Sequence, residues 1–171
     1  MSTLDKILKQ RLLKGIATRP IEAAAGFEAV GLELKAAVKK AFKRSLNIRE
    51  VDTGSCSLCE AEISAANNPL YDISRFGVNF VASPRHADAL LVTGPVSKNM
   101  FLALKKTYAA VPDQKFVISL GDCARGGGLF QDSYYIEGGV DAVLPVVLHI
   151  PGCPPTPLVI VSHLLAFLQS L

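Results

Sequence analysis

Four cysteines are all that this 171-residue chain holds, and each stands in a turn rich in glycine, serine or proline. Cys56 and Cys59 lie in Gly54-Ser55-Cys56-Ser57-Leu58-Cys59, Cys123 follows Gly121-Asp122, and Cys153 sits in Pro151-Gly152-Cys153-Pro154-Pro155. A cysteine that only fills a core behaves as a small hydrophobe and belongs in an apolar helix or strand. Turns instead present thiolates to a common centre while backbone N–H groups line the approach. Four thiolates are the ligand set of one 4Fe–4S cluster or of one structural zinc. Zinc usually takes two short pairs, and only Cys56 and Cys59 form one. Cys123 and Cys153 come singly, after 63 and 29 intervening residues. Ligands from separate loops suit the spread corners of a cuboidal cluster. Iron–sulfur is therefore the leading reading, with zinc and unrelated thiols as alternatives.

Those turns need a frame that brings them together. From Val51 onward the sequence alternates short apolar runs with helical stretches. Asn47 to Val51 leads out of the helical stretch before it, and Phe76 to Val81, Ala89 to Thr93, Lys115 to Leu120 and Ala142 to Ile150 read as strands. Lys98 to Ala110 and Pro157 to Leu171 read as helices, the second opening on a proline whose missing N–H is harmless there. Continuous apolar strands between helices indicate a buried parallel sheet, doubly wound, in an α/β domain. The three cysteine turns all leave the carboxyl ends of predicted strands, where open α/β sheets bind ligands. Residues distant in sequence thus converge on one edge.

The first 48 residues read differently. Residues 1–49 hold eleven Lys and Arg against four Asp and Glu, a charge of +7, whereas 50–171 carry −4. Leu4 to Lys14 places Leu4, Ile7, Leu8, Leu12 and Leu13 near helical period opposite Lys6, Lys9 and Lys14, an amphipathic surface helix. Residues 20–30 read as a connector and Leu32 to Leu46 as a second basic helix. The expected division is a basic helical arm, 1–48, and a sheet domain, 49–171. Such an arm suits an anionic membrane surface or an acidic partner, not nucleic acid, since no nucleic-acid motif accompanies it. Half of the residues are hydrophobic and 19% charged, an apolar balance that suggests surface buried against partner subunits. No signal peptide and no 18-residue apolar run is visible, so a peripheral, non-spanning chain in a reducing compartment is expected.

Three motifs then carry a resemblance: Cys56-Ser57-Leu58-Cys59-Glu60, Ser83-Pro84-Arg85-His86-Ala87-Asp88 and Pro151-Gly152-Cys153-Pro154-Pro155-Thr156-Pro157. From about Arg49 to Leu171 the chain resembles the small iron–sulfur subunit of energy-converting, membrane-bound NiFe hydrogenases, formate hydrogenlyase type included. That family is similar in turn to the 20-kDa subunit of respiratory complex I. The resemblance implies a flavodoxin-like domain with one 4Fe–4S cluster on Cys56, Cys59, Cys123 and Cys153. It further implies an electron relay, not catalytic alone, toward the NiFe site of a large subunit. A ferredoxin-like iron–sulfur donor and membrane ion-pumping subunits are the other implied partners, at the cytoplasmic face of the cell membrane. Complex I subunits have adjacent cysteines at the first motif, whereas Cys56 and Cys59 are spaced as in hydrogenases. Leu58 stands where the hydrogenase pattern has glycine. A quinone- or sulfur-reducing complex on the same module is one alternative, and a zinc-stabilised interaction subunit the other.

Some residues keep two readings. Glu60 and Glu62 are expected in the first turn of a helix, complementing its dipole or serving a proton path. Arg85 and His86 support a cluster, an interface or only the surface, and Arg125 stands two residues after Cys123. His149 and His163 read as packed, hydrogen-bonded side chains. Gly126-Gly127-Gly128 lacks the spacing of a nucleotide fingerprint.

Overall fold

A computed structural model describes residues 24–171. The expected amphipathic helix at Leu4 to Lys14 lies outside the described residues.

Five parallel strands form the main sheet: β1 (Leu46–Asp52), β2 (Val78–Phe80), β3 (Ala89–Thr93), β5 (Phe116–Leu120) and β7 (Val146–Ile150). Their spatial order is β2-β1-β3-β5-β7, the flavodoxin-type order, which reverses direction between β1 and β3. A small antiparallel pair, β4 (Val96–Ser97) with β6 (Ile136–Gly138), sits outside this sheet and was not anticipated. The helices are α1 (Ala24–Phe42), α2 (Leu58–Ala66), α3 (Lys98–Ala110), α4 (Asp122–Gly126) and α5 (Pro157–Gln169). The β3 run is buried at all five positions, as a central strand covered on both faces must be.

Two cores follow from the two faces. On one, α1 and α5 pack over Leu46, Ile48, Leu91, Ile118, Leu120 and Ile150. On the other, Leu104 of α3 and Ala124 of α4 meet Leu90, Val92 and Val117. Helix α5 buries Ile160, Val161, Leu164, Leu165 and Leu168, a stripe at the helical period.

Several boundaries move. Helix α1 starts at Ala24, inside the expected connector, because Phe27, Leu34 and Val38 share one buried face. Each such burial stabilises by roughly 1.5–3 kcal/mol. Phe27 stands edge-on to Tyr71 and Phe76, with ring centroids 4.8 and 5.9 Å away. The helix stops at Phe42 instead of Leu46, where Lys43 turns left-handed at φ 59°. The division drawn between 48 and 49 therefore falls within β1, and α1 packs into the sheet domain. Strand β7 begins at Val146, since Pro145 cannot donate to a ladder.

Candidate metal centre

All three cysteine turns leave the carboxyl edge of the sheet, after β1, β5 and β7. The first turn is ordered by short side chains. Asp52, the last residue of β1, accepts the N–H groups of Gly54 and Ser55 on Oδ1, each at 2.8 Å. This aspartate-nucleated turn bends the chain back toward the sheet. Ser57 then adopts a left-handed conformation, φ 68°, and donates its N–H to Ser55 Oγ at 2.9 Å. Ser55 Oγ in turn donates to Glu60 Oε2 at 2.7 Å. Cys56 thus lies in the turn, and Cys59 in the first turn of α2. Glu60 shares that first turn, as expected, whereas Glu62 lies beyond it.

The second and third turns are stitched by backbone. Gly121 N–H donates to the Ile150 carbonyl at 2.8 Å, and Asp122 N–H to the Gly152 carbonyl at 2.9 Å. Asp122 Oδ1 accepts the Gly152 N–H at 3.0 Å, closing the pair. Gly121, at φ +87°, lies under the Cys59 sulfur: a Cβ there would stand 2.8 Å from Sγ. Gly128, at φ +54°, wraps Cys123, and its Cβ would stand 2.6 Å from that Sγ. The first and second loops therefore touch through Cys59 and Gly121, and the second and third through Asp122 and Gly152.

The four thiols feel one another. Burial, then Glu60, then Cys56, Cys123 and Cys153 push the Cys59 thiol up to about 12. Cys123 is raised by burial and then by Cys153, against which the Leu129 backbone N–H, bonded to it, acts to lower it. Cys56 and Cys153 are exposed. Among the described residues, no three His, Cys, Asp or Glu side chains close on a point as the ligands of a single ion do. Beside the thiols in sequence, Leu58 is half exposed and Leu129 92% exposed.

The other residues singled out by sequence divide. Arg125, on α4, is exposed and near enough to His149 to lower its pKa, after burial, which is the larger cause. His149 Nδ1 pairs with Ser119 Oγ at 2.9 Å, and its Nε2 is buried without a partner among the described residues. His163 Nδ1 donates to the Val159 carbonyl at 2.9 Å. Arg85 and His86 belong to the turn that precedes β3, so they stand at the amino edge of the sheet, away from the cysteines. A cluster-supporting role for them is thereby corrected. Asp52 and Ser55 were missed; the Asp-x-Gly-Ser spacing is their only sequence signal.

The family described as "NADH ubiquinone oxidoreductase, 20 Kd subunit" matches residues 56–167. Formate hydrogenlyase subunit 7 of Escherichia coli K12 is 48% identical over 124 residues, covering 72% of this chain and 49% of that protein. The chain thus spans about half the length of that relative. The probable membrane-bound hydrogenase subunit mbhJ of Pyrococcus furiosus is 44% identical over 132 residues, covering 77% of this chain and 79% of that one. Among solved structures, a chain of the membrane-bound sulfane sulfur reductase, an archaeal respiratory membrane complex, superposes with a TM-score of 0.67 at 31% identity. That match covers 77% of this chain and 72% of the other.

Proposed function

Because this chain belongs to the 20 kDa subunit family of NADH ubiquinone oxidoreductase, we propose that it relays electrons through one 4Fe–4S cluster bound by Cys56, Cys59, Cys123 and Cys153. The acceptor is the NiFe site of a partner large subunit, in a membrane-bound hydrogen-evolving complex. The chain is an oxidoreductase subunit, not a complete enzyme. The observation that carries the proposal is the meeting of three cysteine loops at one sheet edge, with glycine backbone seated against two of the sulfurs.

The donor set fits the group. Four thiols around glycine seats match a thiolate-ligated cluster, which supplies one-electron transfer at the potential its surroundings set. The chain's own residues do the rest. Asp52 and Ser55 shape the loop that offers Cys56 and Cys59. Gly121 and Gly128 let backbone approach sulfur, and the Leu129 N–H donates to Cys123, favouring its thiolate. The partly buried Cys59 would offer its thiolate away from bulk solvent, while Cys56 and Cys153 are exposed.

The exposed Leu58, next to Cys59, and Leu129, in the loop after Cys123, belong to the surface the large subunit would cover. Electrons would come from a ferredoxin-like iron–sulfur subunit, and membrane subunits would couple the reaction to ion pumping. The chain would take a peripheral place at the cytoplasmic face of the membrane; no helix among the described residues is long and apolar enough to cross a membrane. A second reading, the equivalent subunit of a sulfur- or quinone-reducing complex, is favoured by the likeness to the sulfane sulfur reductase.

Anaerobic purification with iron, sulfide, zinc and nickel quantified, followed by EPR after dithionite reduction, tests the proposal. About four irons and four sulfides per chain are expected from the cluster composition, with a reduced-cluster signal. One zinc per chain and no signal would replace the relay with a structural site. Nickel and hydrogen evolution in the co-purifying subunit separate a hydrogenase from a sulfur or quinone reductase.

A further inference from the structure

The first ligand loop holds its shape by a device unlike the other two, and the device has a cost. Ser57 occupies the N-cap of α2 yet makes no side-chain capping bond. Ser55 supplies the hydroxyl instead. Its Oγ accepts the Ser57 N–H at 2.9 Å and donates to Glu60 Oε2 at 2.7 Å. One bond arches over Cys56, and the other spans Cys56 and Cys59 together. Both cysteines are thus enclosed by a ring of hydrogen bonds running from residue 55 to residue 60.

A neutral acceptor would close that ring as well. Glu60 is instead a carboxylate whose second oxygen, Oε1, is buried with no partner among the described residues. Leaving a buried acceptor unsatisfied is costly, more so for a charged group. Stability alone does not account for a charge kept at such a place.

We propose that Ser55 and Glu60 form a clasp that sets the spacing of Cys56 and Cys59 before any metal arrives, and that the Glu60 charge holds down the reduction potential of the bound group. The inference rests on the four cysteines being cluster ligands. Glu60 is a positioning residue in this arrangement, acting through Ser55 on the loop and through its charge on the adjacent thiolate. An added electron is disfavoured beside a fixed anion, which places the potential lower than a neutral side chain would.

Four variants of the full chain separate the two parts: Ser55→Ala, Ser55→Thr, Glu60→Gln and Glu60→Ala. Glu60→Gln keeps an oxygen for the Ser55 hydroxyl and removes the charge. It is expected to hold its cluster as the parent does, with a higher potential in an EPR-monitored redox titration. Ser55→Thr keeps the hydroxyl and should hold the cluster normally. Ser55→Ala and Glu60→Ala lose the clasp, and their clusters should be lost to a chelator roughly tenfold faster, as expected for one hydrogen bond to a charged group. A Glu60→Gln potential equal to the parent's overturns the electrostatic part. Parent-like cluster retention in both alanine variants overturns the clasp. Alkylation of the metal-free full chain reads the loop without any cluster: Ser55→Ala should speed reaction at Cys59 relative to Cys56, and an unchanged ratio counts against the clasp. If the parent chain takes up no iron at all, the proposed relay fails, while the alkylation ratio still judges the clasp.

Discussion

The two ends of the central sheet solve opposite problems. At the amino end, charges meet charges. Asp88 takes both guanidinium nitrogens of Arg44 and the Asn47 N–H, and Lys115 donates to the Val111 carbonyl beside Asp113 and over the Tyr108 ring. Arg44, Asn47, Asp88, Asp113 and Lys115 line a cavity of about 540 Å³ together with Arg85 and His86. At the carboxyl end, loops are held by backbone and small side chains, and four thiols gather with an added carboxylate. The amino end is electrostatically balanced within itself, whereas the carboxyl end concentrates groups that repel one another once ionised. Such a concentration of like charge would be relieved by the cation-bearing group proposed for this end.

The sharpest way to break that contrast is to fill the glycine seats. Gly121→Ala would place a methyl 2.8 Å from the Cys59 sulfur, and Gly128→Ala one 2.6 Å from the Cys123 sulfur, each at a positive φ. Strain of roughly 1–3 kcal/mol adds to the displaced ligand. Both variants should lose most of their iron per chain and melt lower. Gly126→Ala is the matched control, since nothing lies within 4 Å of a Cβ there and its φ is not in the left-handed region. It should keep the iron. Equal losses in all three variants would mean that the loop, not the seats, sets the site.

The pH response sharpens the same contrast. Cys59 titrates near 12 in the folded metal-free chain, against an ordinary 9.0. Between those values the unfolded chain has released the proton that the folded chain retains. Stability contributed by this group is thus present below about 9 and lost as pH rises toward 12. Metal binding runs the other way, because ligation needs the thiolate and releases its proton. Chemical denaturation of the metal-free chain should show stability falling across that window. Iron loading at fixed iron and sulfide should rise with pH over its lower part. A flat loading profile would show that Cys59 is not a ligand.

A smaller effect is expected at the stitch between the second and third loops. Asp122→Ala removes the acceptor of the Gly152 N–H, an exposed bond worth about 1 kcal/mol. The backbone bond from Asp122 N–H to the Gly152 carbonyl survives the change. Thermal melting should fall by a few degrees, with faster cluster loss but full initial loading. Complete failure to load would give Asp122 a larger part than the geometry assigns.

How much of this end could be read from sequence differs by residue. The convergence of Cys56, Cys59, Cys123 and Cys153 was legible, because parallel strands place successive exits on one edge and each cysteine follows a strand. The extent of α1 was less so. Its first described residues, Ala24 to Gly26, have the composition of a connector, and the helix is read only from the burial of Phe27, Leu34 and Val38 on one face. The β4–β6 pair joins residues about forty apart through two-residue contacts too short to show a period. The position of Arg85 and His86 needed topology: they lie between β2 and β3, and only the return of the chain to the start of β3 puts them at the amino edge. The Ser55–Glu60 bond is tertiary detail of a five-residue loop, and no periodicity reports it.

The least effect should come from the amino end. Arg44 keeps 57% of its side chain exposed, and its partner Asp88 keeps 15%. An exposed ion pair contributes at most about 1 kcal/mol and weakens with salt. Arg44→Ala leaves Asp88 bonded to the Asn47 N–H, so the start of β1 stays tied to the turn before β3. The expected result is a melting temperature lowered slightly at low ionic strength, a difference that closes in high salt, and an unchanged iron content. If iron fell together with the melting temperature, the register of β1 would be transmitting the loss to Asp52 and the first cysteine loop. The two ends would then be one cooperative unit, and the amino end a support of the metal site. Unchanged iron with a salt-sensitive melting temperature keeps them separate: one end pairs its own charges, and the other holds its thiols through backbone and short side chains.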